Sequence, residues 1–439
     1  MTHPHPMRTA VVAILAGSAL ALTGCAGPAS NSPNASAAPV EITYMTWSDA
    51  TATAQATKLI AAFQADNPNI KVTVDANPGG ADGDNLVKTR LATGEMSDVF
   101  QYNSGSLLQA LNPTSTLLDL SGESWAANVD DNFKASVTSG KGMYGAPTGT
   151  VQAGGIIYSK KIYDKLGLKV PTTWVEFMDN NKAIKAAGIT PVFQAYGDSW
   201  TSQLIVLADY ANVASSDPAW ASSYTANKRT FSTSPAFDSF QHLQDLHDAG
   251  YFNKDFASAK NDNAIKALAD GTAAQYPMLT QVALPNLKQN FPAALNDFGI
   301  FPVPPTDAAN EALTLWEPNA LYIPKSTTGA KLDAAKKFVA FFNSDKGCAL
   351  QNETEPGGPY AISSCKLPST VAPMVTDVQT WVTKSKAGPA LEFLSPVKGP
   401  NLASILVEVG SGITPAKTAA AAYDQDVKKQ AQQLGLPGW

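Results

Sequence analysis

Val40-Glu41-Ile42-Thr43-Tyr44 alternates apolar and polar side chains, which predicts a strand running on to Trp47. Residues 54–66 then place Leu59, Ile60 and Phe63 beside Ala56 and Ala62 at helical spacing, and Asn67-Pro68 ends that helix. Ile70-Lys71-Val72-Thr73-Val74 alternates again, a second helix is expected over 85–93, and Asp98-Val99-Phe100-Gln101-Tyr102 reads as a short buried strand. Strand, helix, strand, helix, strand implies a parallel sheet of an α/β fold with right-handed crossovers. Ligands in such sheets sit beyond the carboxyl ends of the strands. That rule points to Trp47-Ser48-Asp49 and to Tyr102-Asn103-Ser104. Residues 405–433 are Ala-rich and amphipathic, with Thr414-Pro415 expected as N-cap and first helical position.

The beginning of the chain changes the picture. Arg8 is followed by an apolar run over residues 10–16 and small residues up to Gly24, the layout of a secretory signal, residues 1–24, too short to span a bilayer. Leu22-Thr23-Gly24-Cys25 resembles the bacterial lipoprotein signature, which implies cleavage before Cys25 and lipidation of its sulfur. Two or more acyl chains hold a protein stably on a membrane. Residues 25–39 carry no large apolar side chain and are expected to be a flexible tether. A body starting near Val40 has no later stretch apolar enough for a span, so the lipid is the expected membrane contact. Of three Cys, Cys348 and Cys365 remain, and an even pair in an oxidising compartment reads as one disulfide.

Removing Arg8 with the leader leaves 30 Lys+Arg against 37 Asp+Glu, a net charge near −7. That disfavours nucleic acid and anionic membrane surfaces as partners. A body of roughly 400 residues exceeds one comfortable core and suggests two lobes.

From Gly142 onward a series of motifs appears. Gly142-Met143-Tyr144-Gly145-Ala146-Pro147 precedes Gly154-Gly155-Ile156-Ile157-Tyr158-Ser159-Lys160-Lys161, then Leu166-Gly167-Leu168 and Pro171-Thr172-Thr173-Trp174-Val175-Glu176-Phe177. Gly271-Thr272-Ala273-Ala274, Phe298-Gly299-Ile300-Phe301-Pro302-Val303-Pro304 and Tyr322-Ile323-Pro324-Lys325 follow in order. In that order and spacing they resemble the family-1 extracellular solute-binding proteins over nearly the whole mature chain. The resemblance implies a two-lobed periplasmic-binding-protein-like α/β fold, an interlobe ligand cleft and a multi-segment hinge. The expected lobes are 40–150 with 315–362, and 151–314 with 363–439. It also implies a monomer on the outer face of the cell membrane that closes on its ligand and delivers it to the permease of an ATP-driven (ABC) importer. Some motifs are structural on their own terms. Thr173 and Glu176 form a capping box with Trp174 packed at that helix start, and Gly142 and Gly145 suit a turn.

A sugar presents apolar C–H faces and a girdle of hydroxyls, so its site needs aromatic platforms with carboxylates and amides. Loops that set Trp or Tyr beside such groups supply the expected ligand set: Trp47, Asp49, Gln101, Asn103, Asp198, Trp200, Tyr276, Trp316, Glu317 and Tyr360. Trp200 and Trp316 stand first, and Trp125, Trp220, Trp381 and Trp439 are read as structural. A carbohydrate, in particular an oligosaccharide, is the expected ligand.

Two other readings stay open at this point. A secreted glycoside hydrolase needs two carboxylates across a scissile bond, and Asp49, Asp198 and Glu317 offer a set. Nucleophile-elbow, phosphate-loop and zinc-helix motifs are missing, so no cofactor, metal or catalytic residue is expected. His242 and His247 are expected at the surface, and Asp82-Gly83-Asp84-Asn85 as a solvated turn. A peptide, amino acid or other small polar solute is the second alternative. The candidate loops contain no Arg to clamp charged termini, which favours an uncharged polyol.

Overall fold

The described residues are 39–354 and 356–439 of a computed structural model, so the expected leader, Cys25 and the tether up to Ala38 lie outside them. The strands that matter are β1 (Val40–Trp47), β2 (Ile70–Asn77), β3 (Val99–Tyr102), β4 (Ala146–Thr148), β5 (Gln152–Ser159), β6 (Thr190–Val192), β7 (Ala273–Leu279), β8 (Phe298–Phe301), β9 (Leu313–Trp316), β10 (Asn319–Tyr322) and β11 (Ala387–Pro389). The principal helices are α1 (Ala50–Asp66), α2 (Gly80–Thr93), α3 (Trp174–Ala186), α4 (Phe237–Asp248), α5 (Thr280–Asn290), α6 (Gly329–Phe342), α7 (Asp345–Gln351), α8 (Leu402–Gly410) and α9 (Ala416–Gln433).

β1 lies between β2 and β3 in parallel, as the alternating segments require, and the antiparallel β10 and β4 complete a sheet of order β2-β1-β3-β10-β4. Ile42 and Tyr44 of β1 are buried, and the Tyr44 and Phe63 rings meet Phe338 of α6 edge-on at 5.2 and 5.1 Å. Edge-on contact of this kind adds to the area these rings bury.

A second sheet runs β11-β9-β5-β7-β6, with β8 pairing the far half of β5. Its two faces carry separate cores, one including Ile156, Trp220 and Tyr423, the other Ile157, Tyr276 and Leu284. The chain passes from the first sheet to the second between Thr148 and Gln152 and returns between Trp316 and Asn319. Cys365 still packs in the first core and Ala372 in the core beyond β5, a third passage.

Several elements differ from the sequence reading. α1 begins at Ala50 because Asp49 caps it, its carboxylate accepting from Ala52 N at 2.9 Å. α2 begins at Gly80, so residues 82–85 are helix and not a turn. The carboxyl-terminal segment is two helices, α8 and α9, and Pro415 is the N-cap of α9, not its first residue. Thr173 accepts from Glu176 N at 3.3 Å, but Glu176 accepts from Thr172, so only half the capping box forms. His242 is not at the surface. It is 4% exposed, its ring stacked on Trp174 at 3.8 Å.

Cys348 and Cys365 are bonded, with Cα atoms 5.2 Å apart. No helix of the described residues is long and apolar enough to cross a membrane.

Candidate functional site

Strand ends of the first sheet supply one wall. Trp47 closes β1 half-buried, above the backbone of Gly79, where a Cβ would stand 3.8 Å from its ring. Gln101 accepts from Thr46 at 2.8 Å and Tyr44 at 3.3 Å, and its amide donates to Thr148 at 3.1 Å, so its polar groups are engaged within the sheet. Asn103 is half-buried, and its carbonyl accepts from the Tyr322 hydroxyl at 2.9 Å. Asp49 spends its carboxylate on the start of α1.

Sequence reading missed Asp84. Expected in a solvated turn, it is largely buried in α2 and accepts from the Tyr102 hydroxyl at 2.7 Å. Burial pushes its carboxyl up, while the Tyr102 hydrogen bond and the Lys398 charge pull it back. No local signal joins residues 84, 102 and 398.

The opposite wall comes from the second sheet. Trp316 is only 6% exposed, its ring lying on Gly154, where a Cβ would fall 2.3 Å from the indole. Its Nε1 donates to Glu392, whose other oxygen lies 3.5 Å from the Lys398 ammonium. Trp316 is therefore a packed ring with one polar edge, not an open platform. Trp200 is half-buried in a 3-10 turn, Ser199–Gln203, against the core that holds Tyr276. Asp198 accepts from Asn261 N at 2.8 Å. Tyr276 is fully buried and donates to Asn261 at 3.2 Å, which leaves no ring face open.

Glu317 sits on the returning passage between the sheets, and Tyr360 lies beside the outgoing one. Tyr360 bridges Thr150 through the backbone and donates to Asn352 at 2.9 Å; burial raises its phenol. Glu317 follows β9 directly, and its Oε2 is buried without a hydrogen-bond partner. Burial, with the nearby Asp130 charge, pushes its carboxyl up to about 7. A buried acceptor left unmatched by protein is suited to a hydroxyl donor brought by a ligand.

The two walls meet. Ser104 Oγ donates to Pro318 O on the returning passage at 2.9 Å, and between the walls a Cβ on Gly105 would stand 2.5 Å from Glu392 O. The turn carrying Trp200 touches α2, and Lys398 lies close enough to Asp84 to bias its titration. Along this seam Asp84 lies near Lys398 and Glu392, and the turn carrying Trp200 packs on the helix that bears Asp84. None of the ten expected residues lines either of two cavities, of about 410 and 380 Å³. The first is a groove between α1 and α7 on one side and α5 on the other. Among the described residues no group of three or more His, Cys, Asp or Glu is placed to hold a metal ion.

Of the three carboxylates that suggested a hydrolase, Asp49 and Asp198 each accept from a backbone amide, and Glu317 is the one with a buried oxygen that has no partner.

Residues 47–347 match the family model described as bacterial extracellular solute-binding protein. A Multiple sugar-binding protein from Streptococcus mutans is 26% identical over 316 residues, covering 70% of this chain and 72% of the relative. Among solved structures, a chitin oligosaccharide binding protein superposes with a TM-score of 0.78 at 19% identity, over 90% of this chain and 99% of its own. RafE in complex with raffinose gives 0.73 at 22% identity, over 90% and 99%. The apo-form of RafE from Streptococcus pneumoniae gives 0.64 at 21% identity, over 91% and 99%.

Proposed function

Since the chain belongs to the bacterial extracellular solute-binding proteins, we propose that it captures a carbohydrate, in particular an oligosaccharide, between two lobes and hands it to an ABC importer. It acts by binding and is not an enzyme. The observation that carries the sugar reading is the buried, unmatched Oε2 of Glu317 on a passage between the sheets.

In this proposal the lobes are residues 40–150 with 315–362 and 151–314 with 363–439. Trp47, Asn103, Trp200, Glu317 and Tyr360 form the ligand set, joined by Asp84, Glu392 and Lys398. The aromatics supply flat apolar area and the carboxylates accept hydroxyl protons. Asp49, Gln101, Asp198, Tyr276 and Trp316 hold that set in place. The close approach of Gly105 to Glu392, the contact of α2 with the turn carrying Trp200, and the better superposition on raffinose-bound than on apo RafE support a closed arrangement. Relatives named for multiple sugars and for melibiose, raffinose and stachyose support the ligand class.

The mature chain is a monomer held outside the cell by lipid on Cys25. Replacing Cys25 with Ala releases it from the membrane fraction; unchanged retention rejects the anchor.

A thermal-shift screen of sugars, amino acids and peptides tests the ligand class. A ligand at 100 times its dissociation constant adds about 2.7 kcal/mol. A shift with raffinose, stachyose or a chitin oligosaccharide is expected, and one with peptides alone rejects the proposal.

A further inference from the structure

A second cavity, of about 380 Å³, opens between the helix Tyr210–Ser216, α4 and the loop after β8. Its chemistry is one-sided. Asp209, Asp238 and Asp307 line it, and no Lys or Arg does.

Asp209 forms the floor. It is 3% exposed, and its carboxylate accepts 2.7 Å from Asn212 Nδ2, the only side-chain hydrogen bond it makes among the described residues. Asn212 is itself fixed, donating to Val303 O at 2.7 Å and accepting from Ala312 N at 2.9 Å. The floor is therefore rigid and carries acceptor capacity that the protein does not use. Desolvation, with the charge of Asp238 added, pushes the Asp209 carboxyl up to about 8. Asp238 is held by the Ser234 hydroxyl, and Asp307, at the exposed rim, accepts from Ala309 N at 3.0 Å.

His242 is an independent sign that the cavity takes a ligand. The side chain is buried in the cavity wall, its ring stacked on Trp174, and its Nδ1 has no hydrogen-bond partner. Burial drops its pKa to about 3, so it stays neutral and adds no positive charge. Buried polar atoms without partners are uncommon in folded proteins.

A carboxylate of this kind is costly to ionise alone and much less so beside a cation. The carboxylates are too dispersed to gather round one metal ion, and the space exceeds what a bare ion fills. We propose that this cavity binds a small aliphatic diamine, one ammonium seated against Asp209 and the other at the rim against Asp238 and Asp307. The site is separate from the sugar seam and does not depend on it.

Binding then draws a proton off Asp209, so affinity rises with pH until that carboxyl is already ionised in the free protein. The titratable groups facing Asp209 are Asp238, Asp307 and His242, and His242, held neutral by its burial, does not oppose this trend.

The test is calorimetric titration of the mature chain with 1,4-diaminobutane at pH 6.5, 7.5 and 8.5, with 1,4-butanediol and magnesium chloride as parallel probes. The expected result is one site for the diamine, several-fold tighter at pH 7.5 than at 6.5, and no heat from diol or magnesium. Asp209→Asn should weaken it tenfold or more. Asp307→Asn, exposed and safe for folding, should weaken it several-fold while leaving raffinose binding unchanged. No diamine binding, equal binding of the diol or magnesium, affinity untouched in Asp307→Asn, or competition by raffinose each overturns the proposal.

Discussion

The indole of Trp316 lies directly on Gly154 of the neighbouring strand, so close that a Cβ there would be 2.3 Å from the ring. The pairing of β9 with β5 brings the two residues side by side, Gly154 opposite Thr314 and Trp316 opposite Gln152. Gly154→Ala must displace the ring or the strand, and a loss of about 1–3 kcal/mol is expected. Trp316→Ala should cost about 3–5 kcal/mol. Urea unfolding of both variants checks this, and unchanged midpoints would show that the ring is not seated as described.

Trp200 behaves differently because its ring is half-buried on the seam. Trp200→Ala should weaken sugar binding by about 1–3 kcal/mol while the unfolding midpoint stays close to wild type. Asp84→Asn keeps an acceptor for Tyr102 but removes the charge that faces Lys398. It should weaken the sugar a few-fold without unfolding the chain. Titration calorimetry on the two variants reads both effects.

Glu317 makes stability depend on pH. Its carboxyl is raised from 4.5 to about 7 in the folded chain. Between those values the native state keeps a proton that the unfolded state has lost. The contribution is full below about pH 4.5 and disappears as pH rises through 7. Glu317→Gln should therefore gain on wild type by about 2–3 kcal/mol between pH 5 and pH 8 in urea unfolding. Asp209, raised to about 8, tilts both proteins in the same direction and cancels in the comparison. A constant difference across that range contradicts the burial of Glu317.

The Cys348–Cys365 bond closes a sequence separation of 17 residues between α7 and the chain that follows. Replacing both with Ser should lower stability by about 3 kcal/mol on the chain-entropy account. Denaturant unfolding under matched conditions measures it.

How far the sequence could be read depends on the range of each interaction. The first two strands were legible because their alternation is local and the third as a short buried run, and Asn67-Pro68 marks where α1 ends. Asp49 shows the limit of strand-end reasoning: its place before an Ala- and Thr-rich helix is also an N-cap signal, and the cap is what forms. Trp316 looked like a platform because its loop is polar, yet what covers its ring is Gly154, 162 residues away. The same holds for His242 under Trp174 and for Asp84 with Tyr102 and Lys398, contacts that only the tertiary fold creates. Glu317 stays in the proposed ligand set because an acceptor between two strands on a passage has few local partners, and its Oε2 is buried without one.

A crystal structure of the mature chain grown with raffinose tests the central claim most directly. The account predicts the sugar between the walls bearing Trp47 and Asn103 on one side and Trp200 on the other, with a hydroxyl donating to Glu317 Oε2. Sugar bound away from that seam, or Glu317 still without a partner in the complex, would contradict it.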